Sequence, residues 1–173
     1  MNSDLRALGD GTIGGCVGTI AMSVVMVAGQ KVGALGRQPP ERIAAAGLDA
    51  LGVQRTRTVQ AGVAVLLHIV FGSAAGALFG LLYRRLRAPL DPSLQGVIFA
   101  SMVWAASYKG WIPALGIMPP PERDRAGRPL IMVLAHWFYG ATLGMLVGRK
   151  RQVSDRTGAA GGVGLGESRG RGG

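Results

Sequence analysis

His68 and His136 are the only histidines in the chain, and both open the same pattern, H-x-x-[FY]-G-x-x-x-G-x-L-x-G. Imidazole changes charge near neutral pH, so two rings at matched positions can form an acid-responsive pair whose protonation sets two cations against each other. Two imidazoles from neighbouring helices can also ligate one haem iron from opposite sides, with nearby glycines making room for the porphyrin. The third use is structural: a hydrogen bond to a carbonyl or to a Tyr or Ser that fixes helix pairing, although polar groups inside a membrane are functional candidates by default. No carboxylate lies in the surrounding apolar stretches, and no GxSxG, Walker, HExxH, CxxC or dinucleotide-binding pattern occurs. These residues point to a protein that is not an enzyme and holds no metal or cofactor, with haem as the alternative.

Two further sets of residues are matched in the same way. Lys31 and Lys109 end apolar stretches, where a lysine complements the helix dipole and can reach the headgroups. With Arg42 and Arg123 they would make a basic rim suited to a lipid phosphate or an anionic solute. Gly72, Gly76 and Gly80 recur every fourth residue, as do Gly140, Gly144 and Gly148. That spacing lays each set along one helix face, where a second backbone can approach closely, within the bundle or between protomers.

The elements that must carry these residues are legible from charge. Residues 11–30, 58–83, 92–108 and 129–148 contain no Asp, Glu, Lys or Arg. A hydrocarbon core of ~30 Å needs roughly 17–25 apolar residues as helix. The expected fold is therefore all-α, a polytopic membrane protein with four transmembrane helices. Asp91-Pro92 supplies a cap before the third span, Pro129 opens the fourth, and Pro113 should end the third. Residues 41–54 suit a short interfacial helix or a packed loop.

The four spans also read as two copies of one unit. ALGRQPPER at 34–42 returns as ALGIMPPPER at 114–123, and LLHIVFGSAAGALFG at 66–80 aligns with LAHWFYGATLGMLVG at 134–148. Span, lysine, ALG, PPER and histidine span thus occur twice, which predicts two tandem helical hairpins in parallel repeat. The expected division is an N-terminal segment (1–10), a membrane domain (11–148, with repeats at about 11–83 and 92–148) and a disordered Gly/Arg-rich tail (149–173).

The net charge of +10 is concentrated at span ends, as in YRRLR and GRKR, which suits anionic headgroups rather than nucleic acid. Orientation is close to balanced, with ten Lys/Arg in the terminal and middle segments against nine in the PPER loops. The compact clusters nearest the membrane favour cytoplasmic termini. Cys16, the single cysteine, reads as a small packed residue. Tyr83, Tyr108 and Trp111 suit an interfacial aromatic belt, and Trp104 suits packing.

The stretch GGCVGTIAMSVVM, the PPER-type loops and the H-x-x-[FY]-G-x-x-x-G spans resemble the YagU-like group of small bacterial inner-membrane proteins, over about residues 11–148. That resemblance implies no catalytic residues. It implies a multi-pass protein of the bacterial inner membrane, with a link to acid survival through the group's named member. The expected function is envelope or acid-stress homeostasis through His68 and His136. The expected partners are the lipid bilayer and a second copy or another membrane protein. A membrane scaffold and a bis-histidine haem protein are the alternatives.

Overall fold

The computed structural model describes residues 2–54, 56–86 and 88–163, with side chains to Val153. It is all-α. Helix α1 (Ser3–Lys31) begins where the Asn2 side chain accepts from the Asp4 amide. It ends at Gly33, whose φ of +78° is a left-handed closure open to glycine at no steric cost. Helices α2 (Pro39–Ala50), α3 (Arg57–Leu86) and α4 (Pro92–Trp104) follow. A π-helical segment (Ala105–Trp111), the short α5 (Ile112–Ala114) and a 3-10 turn (Pro121–Arg123) lead to α6 (Arg128–Val163). Asp91 caps α4, accepting from the Ser93 and Leu94 amides at 2.8 and 3.3 Å.

Three helices are long and apolar enough to cross a membrane: Ser3–Lys31, Arg57–Leu86 and Arg128–Val153. Their outward side chains are hydrocarbon; Val65, Leu66, Val70 and Leu78 on α3 are exposed in the isolated chain. In water such a surface would be an anomaly, whereas lipid solvates it. The chain is a multi-pass membrane protein.

The expectation of four spans in two tandem hairpins is corrected. The third apolar stretch is not one uninterrupted α-helix. Its α-helical part, α4, has 13 residues, about 20 Å at 1.5 Å per residue and short of a ~30 Å core. Three local causes break it. The Ser107 hydroxyl donates to the Val103 and Trp104 carbonyls at 2.6 and 3.3 Å, competing with the helical ladder. Gly110 leaves helical geometry at φ −100°, ψ −107°. Pro113 has no N–H to return to Lys109.

Nor are the helices sorted into two separate pairs. Helix α1 packs on both α3 and α6, while α4 runs against α6. The main α3–α4 bridge is aromatic, with Phe79 and Phe99 ring centres 5.3 Å apart. The two PPER copies also fold differently. The first opens the twelve-residue α2; the second makes only the 3-10 turn. IAAAGLDA after the first copy sustains a helix, whereas Gly127 and Pro129 soon after the second do not. The glycines of the two ALG triplets do share a conformation, with φ +60° at Gly36 and +68° at Gly116.

Helix α6 continues as far as Val163, past the residue where the sequence predicts the tail to begin; residues 164–173 lie outside the described residues. The starts of α1 and α4 share one end of the molecule with the later parts of α3 and α6. There Asp4 pairs with Arg84, and Asp10 with Lys150 at 2.8 Å. Tyr83 stacks on Phe79 at that end and carries the Arg151 guanidinium 5.5 Å above its ring.

Candidate functional site

The glycine stripes set the helix spacing that creates the site. Gly72, Gly76 and Gly80 of α3 lie directly on Gly15, Gly11 and Ala7 of α1, so that a Cβ at any of them would overlap α1. Gly140 of α6 lies on Gly96 of α4 in the same way, Gly144 on Pro92 and Ser93, and Gly148 on the Pro92 ring. Both stripes are thus occupied within the chain, and a contact between protomers would have to use another face.

Near the PPER end the helices diverge around a cavity of about 210 Å³ lined by α1, α2, α3, the α4–α5 segment and α6. Most of its wall is hydrocarbon, with Met22, Met26, Met132, Phe71 and Ile112 prominent. Seven side chains with a polar atom reach it: Thr19, His68, Ser107, Tyr108, Trp111, His136 and Tyr139. The two histidines therefore meet the same space, but in unlike settings. His136 is buried, with Nδ1 2.7 Å from the Met132 carbonyl oxygen. A carbonyl only accepts, so Nδ1 carries the proton and the neutral ring keeps its lone pair at Nε2. His68 is half-buried and makes no hydrogen bond to the described residues.

Tyr139 ties α6 to α3 across the cavity wall, its hydroxyl donating to the Gly72 carbonyl at 2.7 Å. Thr19 donates to the Gly15 carbonyl at 2.7 Å, within α1. Tyr108 donates to Asp124 Oδ2 at 2.6 Å. Asp124 in turn meets Arg128 Nη1 at 2.8 Å, and Arg128 Nε donates to the Leu35 carbonyl at 2.8 Å. One buried charged network thus joins the α1–α2 linker, the π-helical segment and the start of α6 beside the cavity. Neither Asp124 nor Arg128 stood out in the sequence, where both look like loop charges. Their separation of four residues beside Pro129 is the only trace.

Lys31, Lys109, Arg42 and Arg123 all fall at this end but do not converge. Lys109 pairs with Glu122 at 3.0 Å. Lys31 and Arg123 are exposed, and Arg42 is half-buried with Nε unpartnered. Tyr108, expected in an interfacial belt, is instead buried. Trp104 packs edge-on against it at 6.0 Å.

Among the described residues no cluster of three or more His, Cys, Asp or Glu could hold a metal ion. The cavity is smaller than the roughly 300–1,000 Å³ of sites for drug-sized ligands, and a porphyrin is a large member of that class. Comparison with known proteins adds membership without an activity. Neither the curated proteins nor the solved structures gave a match. Residues 5–157 match DUF6789, a family of unknown function, over most of the length, and the chain belongs to that family.

Proposed function

We propose that the protein is a non-enzymatic component of the bacterial inner membrane that responds to acid through the cavity shared by His68 and His136. The observation that carries this reading is the placement of both rings on one cavity that no Asp, Glu, Lys or Arg lines. The other titratable groups facing it are Tyr108 and Tyr139, with Asp124 and Arg128 behind Tyr108. Protonating one ring places a cation against mostly hydrocarbon walls, and protonating both adds like-charge repulsion. Acid therefore works against the closed packing and favours hydration or separation of α3 from α6. The resemblance to the YagU-like group, with its link to acid survival, agrees with this direction. Cytoplasmic termini suit the reading, since Arg84, Arg85 and Lys150 lie at the end where the chain starts.

The test is the pair of substitutions His68→Asn and His136→Asn together. Association state, solute flux in proteoliposomes and acid survival of cells are followed from neutral to mildly acidic pH. The reading requires a pH-dependent change in at least one of these in the wild type, flattened in the double variant. An unchanged profile in all three removes it. If partner proteins co-purify while flux and pH response are absent, a membrane scaffold is the better description.

A further inference from the structure

We infer that the His68/His136 cavity is a binding site for a small, uncharged aromatic molecule bearing one O–H or N–H donor. This rests on the reading of that cavity as the working part of the protein, and deepens it by naming the ligand class.

The inference comes from where the lining protons already go. Thr19, Ser107, Tyr108 and Tyr139 each have one hydroxyl proton, and each donates it to a protein acceptor: the carbonyls of Gly15, Val103 and Gly72, and the Asp124 carboxylate. His136 donates its Nδ1 proton to Met132. What remains on these five groups is lone pairs, on four oxygens and on His136 Nε2. Among the described residues, the N–H donors left at the cavity are that of His68, which also has a lone pair of its own, and the indole N–H of the partly exposed Trp111.

A cavity with that balance selects among ligands. A carboxylate or phosphate, which only accepts, finds two neutral N–H donors at most and no cation to balance its charge. A cationic ligand finds no carboxylate to offset its desolvation. A neutral molecule that donates one hydrogen bond and is otherwise apolar gives one of these lone pairs a partner and leaves the rest of its surface to the hydrocarbon.

Size and wall chemistry narrow the class. An apolar cavity of about 150 Å³ takes benzene, so about 210 Å³ suits one substituted ring or two fused rings. The sulfurs of Met22, Met26 and Met132 and the rings of Phe71 and Trp111 are favourable neighbours for an aromatic guest.

The test uses the full chain in nanodiscs of phosphatidylethanolamine and phosphatidylglycerol at neutral pH, with fluorine NMR of two probes. 4-Fluorophenol carries the donor; 4-fluoroanisole has the same ring with the donor methylated. The inference expects saturable binding of the phenol and about three- to tenfold weaker binding of the anisole, the range of one net hydrogen bond. Filling the space with Ala75→Leu, or separately with Leu67→Trp, should weaken the phenol at least tenfold while the far-ultraviolet dichroism stays unchanged. Equal affinity for the two probes would overturn the donor requirement. Non-saturable uptake, or uptake that persists in filled variants, would show partition into lipid and overturn the site. Because the measurement is made at one pH on the wild type, its failure leaves the acid response standing. Failure of the acid response likewise leaves the binding result.

Discussion

Asp124 and Arg128 face each other at 2.8 Å with their side chains only 3% and 4% exposed. A charge pair sealed in this way is held in place by its remaining bonds: Tyr108 and the Arg125 amide donate to Asp124, and Arg128 donates to the Leu35 carbonyl. Gly36 stands against both Arg125 and Arg128, and its positive φ lets the linker turn there without a side chain in the way. The network fixes the π-helical segment, and with it the cavity residues Ser107 and Tyr108, against the start of α6.

Breaking one half of that pair should cost far more than removing both. Arg128→Met leaves a buried carboxylate without its cation, and a loss of about 3–5 kcal/mol is expected. Adding Asp124→Leu should recover much of it. A double-mutant cycle on reversible unfolding in mixed micelles measures the difference.

The same carboxyl gives an acid limit with a definite sign. Burial alone would raise the Asp124 carboxyl, but hydrogen bonds from Tyr108, the Arg125 amide and Arg128 outweigh it and hold it below its ordinary value. A carboxyl depressed in the folded state contributes stability that is complete above the unfolded value of about 3.9 and is lost as pH falls through the folded one. Stability should therefore decline below about pH 4 from this group, and Asp124→Asn should remove that part of the decline. Any response between pH 7 and 5 must come from elsewhere.

Glycines of identical helical type should separate sharply by neighbour. A Cβ at Gly76 or Gly140 meets the backbone of the facing helix, so Gly76→Ala and Gly140→Ala should each cost about 1–3 kcal/mol as helices move apart. Gly62 of α3 has open space around it, and Gly62→Ala should be neutral or stabilising by about 0.5–1 kcal/mol. Folded yield and thermal unfolding of the three variants provide the check.

Tyr139→Phe removes the hydroxyl that joins α6 to α3 at the Gly72 carbonyl. The expected loss is about 0.6–1.5 kcal/mol, small enough to leave the bundle folded. Faster amide exchange near Gly76 of α3, whose helical bond is to the Gly72 carbonyl, would accompany it.

Much of the helical framework was readable because it obeys simple periods. Runs without charge gave the long helices, and four-residue glycine spacing marked the faces of α3 and α6 that now lie on α1 and α4. The break in α4 was not readable, because Pro92 to Tyr108 is uniformly uncharged and hydropathy is blind to backbone hydrogen-bond register. A serine that bonds its own helix, together with Gly110 and Pro113, decides the break locally. The Asp124–Arg128 network escaped for the opposite reason: charges in a proline-rich loop look solvated until the fold buries them. The histidines were visible as a pair, yet their unlike surroundings depend on a tertiary packing that a repeat in sequence does not specify.

The most direct test of the central claim is the fluorescence of Trp111, which lines the cavity, in nanodiscs from pH 7.5 to 5, with Trp104 and Trp137 replaced by Phe. The account predicts a cooperative red shift on acidification as water enters beside protonated His68 and His136, and its loss in the His68→Asn/His136→Asn background. A spectrum that stays constant across that range, or a shift that survives in the double variant, would contradict it.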